Sequence, residues 1–324
     1  MKILIIRFSS FGDIVQAMSC LEDLHQAYRE LEVHWLVRND LSEVVGFDPR
    51  VKVIPFDRKL GFSGLWNLAK NLRNERFDAV YDAHFSLRSR ILRWMIKPLP
   101  FIGPRWVVRS KERIKRFFLF KLRLNFFPRP YKGMNSYREP LKKLGIRPGL
   151  LTKPQWNIPQ VSHDPQAIIL CPSAAWEMKR WPINHWIKLI ALLPQQRFLV
   201  LGGPTDSFCQ SIADSAPERC LNLAGKVSLK DSCAIVARAP LVISADTGLI
   251  HVADLLGVKG LSLMGPTAFG FCTNPHIETL EIDLKCRPCT KDGRGSCSQS
   301  LYQKCMVEIT PEHVSQKAIE MLTR

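Results

Sequence analysis

No stretch of this chain carries the roughly 20 uninterrupted apolar residues of a membrane span, so a transmembrane protein is not expected. The apolar run between Lys2 and Arg7 is too short for the core of an export signal, and no cleavage-site pattern follows it. A cytoplasmic location is therefore expected, where ten cysteines are small core residues or metal ligands rather than bridges. A Gly-x-Gly-x-x-Gly fingerprint is missing, which disfavours a dinucleotide cofactor. Asp-x-Asp occurs nowhere, so no carboxylate pair of that kind can hold Mg²⁺ against a phosphate. Helix-turn-helix, zinc-finger and RNP patterns are also absent, and nucleic acid is not an expected partner. Acids are scarce in one place above all: between residues 86 and 132, Glu112 stands alone against 14 Lys+Arg.

That scarcity defines a concentrated basic face. Residues 1–150 hold 29 Lys+Arg against 14 Asp+Glu, whereas residues 151–324 hold 17 against 15, so nearly all of the net +17 sits in the first half. Such a face attracts phosphate-rich partners, among them an anionic membrane leaflet or a phosphorylated glycolipid. Within it, Arg109, Lys111, Arg113, Lys115 and Arg116 run into Phe117, Phe118 and Phe120. One reading is a solvated basic helix; the other is an amphipathic element that sits on a lipid interface or grips a lipid-linked acceptor.

Apolar runs alternate with helix-period segments throughout. Strands are expected at Lys2 to Phe8, Val33 to Val37 and Ala79 to Tyr81, with an amphipathic stretch from Ile14 to about Tyr28 and a helix from Leu65 to Arg73. A Pro/Gly-rich passage from Gly145 to Pro165 reads as a linker. Beyond it, strands are expected at Ala167 to Leu170, Phe198 to Leu201, Leu241 to Ser244 and Gly260 to Met264. Helices are expected at Ile183 to Leu193, Ser228 to Ala239, Leu249 to Leu256 and from Thr310-Pro311 to Arg324. The alternation implies two α/β domains with parallel sheets, at 1–155 and 160–324, and ligands beyond the carboxyl ends of the strands.

Four groups of residues at such positions can carry chemistry. In Ser9-Ser10-Phe11-Gly12-Asp13, Gly12 permits a conformation closed to other residues, and Asp13 either caps a helix or accepts a proton from a hydroxyl. In Ser173-Ala-Ala-Trp-Glu-Met-Lys179-Arg180-Trp181-Pro182, the adjacent cations are either soluble surface or partners for a diphosphate. In Asp246-Thr247-Gly248-Leu-Ile-His251, Thr247 and the free N–H groups of a helix start suit phosphate oxygens, and His251 lies one turn further on. Cys286, Cys289, Cys297 and Cys305 fall within twenty residues and form a candidate thiolate set for a structural metal.

Together these segments resemble the ADP-heptose:lipopolysaccharide heptosyltransferases of glycosyltransferase family 9. Ser-Ser-Phe-Gly-Asp13 is similar to the family's opening motif, Tyr81-Asp82-Ala-His84-Phe-Ser-Leu-Arg88-Ser89 to its second signature, and Lys179-Arg-Trp-Pro182, Asp246-Thr-Gly-Leu-Ile-His251 and Gly265-Pro-Thr267 to its donor-domain set. The resemblance implies a GT-B fold, two Rossmann-like domains whose sheets face a central cleft, and an inverting transfer with Asp13 as general base. It places the donor ADP-heptose at Ser173, Lys179, Arg180, Asp206, Asp246, Thr247, Gly248 and His251. It places a lipid A-linked Kdo/heptose acceptor at Ser10, Gly12, His84, Arg88, Arg109 and Arg113. Ala174-Ala175 stand where some members carry hydroxyl residues, which leaves Ser173 for donor contacts there. No cofactor is implied for catalysis; the four cysteines are similar to a set in relatives that bind iron, so iron or zinc is the structural expectation. A cytoplasmic enzyme held peripherally at the inner membrane follows, with another nucleotide sugar or a protein acceptor as the alternative.

Overall fold

The computed structural model describes residues 1–97, 99 and 101–323. They form two compact units, Met1–Arg113 with Met134–Asn157, and Ile114–Gly133 with Ile158–Arg324. The change of unit at 157/158 falls in the expected linker. Residues 114–133, which the charge pattern groups with the first half, pack instead with the second.

The first unit is built on a five-stranded parallel sheet of β1 (Lys2–Ile6), β2 (Glu32–Arg38), β3 (Val51–Phe56), β4 (Ala79–Asp82) and β5 (Arg105–Val108), in the order β3-β2-β1-β4-β5. The central strand β1 pairs Ile3 with Val33 on one side and with Ala79 on the other. Its side chains are buried on both faces, as a parallel sheet requires. The amphipathic stretch after β1 folds as two helices, Phe11–Met18 and Cys20–Ala27, because Ser19 turns its hydroxyl back onto the Gln16 carbonyl at 2.6 Å. The Gly61–Asn74 and Leu87–Ile96 helices cover one face of the sheet: Leu65, Ala69, Leu72, Leu92 and Ile96 pack with Leu4, Ile6, Leu36 and Val80.

The second unit holds a six-stranded parallel sheet of β6 (Ile168–Cys171), β7 (Phe198–Val200), β8 (Cys220–Asn222), β9 (Val242–Ala245), β10 (Gly260–Met264) and β11 (Ile277–Glu281), in the order β11-β10-β9-β6-β7-β8. The Ile183–Leu192 and Pro311–Thr323 helices bury Trp186, Leu189, Val314 and Ala318 against Ile168, Leu170, Leu261 and Leu263. The Trp181 indole adds a hydrogen bond, donating to the Ile309 carbonyl at 2.8 Å. The terminal helix starts as expected, with Thr310 Oγ1 accepting from His313 N–H at 3.3 Å; its expected last residue, Arg324, lies outside the described residues. In each sheet the strand order reverses once, between β1 and β4 and between β9 and β6, and the crevice beyond such a switch point is where open α/β sheets bind ligands.

Candidate active site

In the first unit the loops after β1 and β4 meet at the switch point. Asp13 lies in the first turn of the Phe11–Met18 helix, where a carboxylate gains from the helix dipole. Its Oδ2 accepts from Ser10 Oγ at 2.7 Å and pairs with Arg7 at 2.6 Å, while its Oδ1 accepts from the Tyr137 hydroxyl at 2.7 Å. Arg7 also donates to the Ala83 carbonyl at 2.9 Å, which fixes it between the two loops. Arg109 lies over the Tyr137 ring, 3.9 Å from the centroid, and donates to Ser136 Oγ at 2.8 Å. Tyr137 is fixed from the other side by Tyr81, whose hydroxyl donates to its carbonyl at 2.6 Å.

Crowding alone would raise the Asp13 carboxyl, but the Arg7 charge, the Ser10 and Tyr137 hydrogen bonds and the Arg109 charge outweigh it and hold it well below the usual carboxylate range. Asp13 is thus ionised at any physiological pH, with its side chain still 40% exposed. His84 stands edge-on to Phe8 at 5.3 Å. Burial, then the charges of Arg7 and Lys111, push its imidazole down to about 4, so it is neutral at pH 7. Ser10, His84 and Arg109 therefore gather around Asp13. Arg88 lies on the exposed side of the first turn of its helix and Arg113 at the exposed start of the basic helix Arg113–Lys121, both outside the hydrogen-bonded network of Asp13. Gly12 takes an ordinary helical conformation, not the special one expected of it: it is the second residue of its helix, and the positive-φ glycines lie elsewhere.

In the second unit the loops after β6 and β9 carry Lys179 and Asp246, again at the switch point. Lys179 Nζ is 2.7 Å from Asp246 Oδ2, Thr267 donates to the same oxygen at 2.8 Å, and His251 Nε2 lies 3.9 Å from Oδ1. Burial works against the Asp246 charge, yet Lys179 and His251, then the hydrogen bonds, bring its carboxyl below the ordinary value. A Cβ at Gly270 would stand 2.3 Å from Asp246 Oδ1, so this glycine lets the 267–271 loop press on the carboxylate. Arg180 donates to the Ala174 carbonyl at 3.0 Å and pairs with Asp206 at 3.6 Å, while Asp206 accepts from Gly203 N–H at 2.7 Å. Each of the two adjacent cations is thus held by an acid in the structure, rather than standing as bare positive charge. Ser173 lies under Gly202, where a Cβ would meet its hydroxyl at 2.5 Å. Thr247 is the N-cap of the Gly248–Leu256 helix in extended conformation, without a side-chain cap, which leaves the first helical N–H groups for an anion.

The four cysteines lie within electrostatic reach of one another: burial, then Cys286 and Cys297, push the Cys289 thiol up, and burial together with Cys289, Cys286 and Cys297 outweighs Arg287 in pushing Cys305 up. Among the described residues, one group brings three metal-ligating atoms within 4.8 Å of one another, and it is His251, Asp254 and Cys272. In that group the carboxylate is already in use: Asp254 Oδ1 accepts from Asn274 N–H at 2.7 Å and its oxygens from Thr273 N–H at 2.9 Å, anchoring the loop after β10. The segment that carries the cysteines folds over the donor loops. Arg287 donates to the Gly265 carbonyl at 2.7 Å, Cys289 N–H to the Pro266 carbonyl at 3.1 Å, and Arg294 lies 5.0 Å over the Trp176 ring. A Cβ at Gly293 would come within 2.7 Å of the Lys179 stem, so this segment helps to position that lysine.

Residues 65–302 match the model of a family described as glycosyltransferase family 9 (heptosyltransferase). The chain belongs to this family. The glycosyltransferase is 26% identical over 282 residues to lipopolysaccharide core heptosyltransferase OpsX of Haemophilus influenzae, an alignment spanning 80% of this chain and 77% of that one. Its fold is similar to that of a family 9 glycosyltransferase from Veillonella parvula, with a TM-score of 0.78, 20% identity, and coverage of 99% and 97% of the two chains. It is also similar to ADP-heptose lps heptosyltransferase II of E. coli, with a TM-score of 0.75, 20% identity, and coverage of 100% and 99%. The α/β GT-B class expected from the motifs holds. Of the enzyme's Asp13 network, Arg7 and Tyr137 had no signal in the sequence beyond a cation closing an apolar strand and a tyrosine in an unremarkable helix.

Proposed function

We propose that the glycosyltransferase moves a heptose from ADP-heptose onto the Kdo/heptose inner core of lipopolysaccharide, inverting the anomeric configuration, with Asp13 as general base. The observation that carries this reading is the Asp13 carboxylate at the first switch point, ionised and oriented by Arg7, Ser10 and Tyr137. Such a group takes the proton of an acceptor hydroxyl as the oxygen attacks. It is a weak base at rest, so transfer occurs late, once the new bond has made the hydroxyl acidic. Neutral His84 and the cationic Arg109 line the same site and suit a sugar that carries carboxylate or phosphate groups.

The donor diphosphate belongs at the second switch point, where Lys179, Arg180 and the free N–H groups of the Gly248–Leu256 helix offer positive potential to the departing ADP. Asp246 and Asp206 hold those cations in place until the phosphates share them. No metal is needed for this charge balance. The names of the relatives, a lipopolysaccharide core heptosyltransferase and an ADP-heptose enzyme, agree with both substrates. The enzyme would work in the cytoplasm at the inner membrane, where such an acceptor is anchored. Asp13→Asn should abolish acceptor-dependent ADP release while leaving ADP binding within about twofold of wild type; turnover above a few per cent would remove Asp13 from the role.

A further inference from the structure

The first unit leaves a group of large apolar side chains in water. Its Gly61–Asn74 and Leu87–Ile96 helices lie side by side on one face of the sheet and share a core cluster, so their outer sides point the same way. On the outer side of the first, Phe62 and Trp66 are exposed and touch, their ring centroids 6.4 Å apart, with Leu60 exposed just before them. On the second, Leu87 and Trp94 are exposed two turns apart, Trp94 at 70%, and Phe101 follows at 95%. Scattered single side chains of this kind are ordinary, but a contiguous set on adjacent helices marks an interaction site.

The charges interleaved with these rings are mostly positive. Arg58, Lys59, Lys70 and Arg73 are exposed along the first helix, and Arg90 and Arg93 along the second. Of the acids in this stretch, Glu75 pairs with Lys2, Asp78 accepts from Lys2 N–H and Asp82 is buried, which leaves exposed Asp57, accepting from Lys59 N–H, among six exposed cations. Aromatic and aliphatic groups set among an excess of cations match a layer of anionic headgroups over hydrocarbon. The face is also contiguous with the base, because Arg58 donates to Ser9 Oγ at 3.3 Å and Ser10 in turn donates to Asp13. The basic Arg113–Lys121 helix differs on this point, since it packs in the second unit with Arg116 over Phe269 at 4.3 Å.

We infer that the outer face of the Gly61–Asn74 and Leu87–Ile96 helices docks the enzyme on an anionic lipid bilayer. That the docking delivers Asp13 to a lipid-linked sugar rests on the function proposed above; the docking itself does not.

The test is flotation of the full chain with vesicles of phosphatidylethanolamine and phosphatidylglycerol, against vesicles of phosphatidylcholine alone. Wild type should float with the anionic vesicles only. Phe62→Ser/Trp66→Ser/Trp94→Ser should lower that partitioning by about tenfold or more, with transfer to a delipidated acceptor unchanged, whereas Ile114→Ser/Phe117→Ser in the second unit should leave it intact. A wild type that stays in solution, a triple variant that floats as well as wild type, or loss confined to the second-unit variant would overturn the inference. So would a wild-type dimer in sedimentation that the triple variant dissolves, since the face would then belong to a second copy. Vesicle binding without sugar transfer would count against the proposed function and leave this face standing.

Discussion

Replacing Lys179 should cost both stability and donor affinity, and the two losses can be separated. Its ammonium is 2.7 Å from Asp246 Oδ2, and the two side chains are only 16% and 8% exposed. Removing one partner of a buried pair leaves the other charge uncompensated, at a cost of about 3–5 kcal/mol. Here Thr267 still donates to Asp246 and His251 lies 3.9 Å away, so Lys179→Met should sit near the lower end, about 3 kcal/mol. Lys179→Met/Asp246→Asn removes both charges at nearly constant volume and should return to within about 1 kcal/mol of wild type. Urea unfolding measures the stabilities and calorimetry the ADP affinity. The double variant should recover stability but not ADP binding, because the lysine that meets the phosphates is still missing. A single variant as stable as wild type, or a double variant that binds ADP normally, would refute the reasoning. The pH dependence adds a sign. In wild type the Asp246 carboxyl is lowered, so its contribution is complete above the unfolded value and is lost as pH falls through the folded one. In Lys179→Met the carboxyl rises, and stability should instead fall as pH increases through its new value.

Because Asp13 is held well below the usual range, the activity profile of wild type should show no acidic limb from this group above about pH 4. Arg7→Ala removes its nearest charge; Arg7 is buried but Asp13 is 40% exposed, and with water at one end the attraction is about 1 kcal/mol, so turnover should fall about tenfold while the acidic limb moves up by roughly one pH unit, as pH–rate profiles would show. Asp254 is pushed up to about 7 by burial, against the N–H groups of Asn274 and Thr273. A raised carboxyl keeps its proton when folded and loses it when unfolded, so stability should decline between about pH 4 and pH 7, and Asp254→Asn should flatten that decline in urea titrations.

Much of this architecture is written in local patterns, and the parts that are not share a cause. β9 and β10 announce themselves because Val242–Ala245 and Gly260–Met264 are buried on both faces and read as apolar runs interrupted by a single serine each, Ser244 and Ser262. β3 and β11 lie at sheet edges, where Lys52, Pro55, Glu278 and Glu281 interrupt the pattern and hide the strand. The site follows the same division. Asp13, Lys179 and Asp246 sit at strand ends, where the chain order alone predicts ligands. Tyr137 reaches Asp13 from 124 residues away, and no local pattern encodes that contact. The cysteines keep in space the company that their compact spacing suggests, whereas nothing in that spacing tells that Arg287, Cys289 and Arg294 lay the segment over the donor loops.

The most direct measurement is incubation of the purified enzyme, without added metal, with ADP-heptose and acceptors ranging from Kdo-lipid A to heptosylated core, following ADP release and product mass together. The account predicts ADP release that depends on one of these acceptors, a heptose increment in its mass, and loss of both in Asp13→Asn. Unchanged transfer by Asp13→Asn, or no ADP release and no ADP binding with any acceptor, would contradict it.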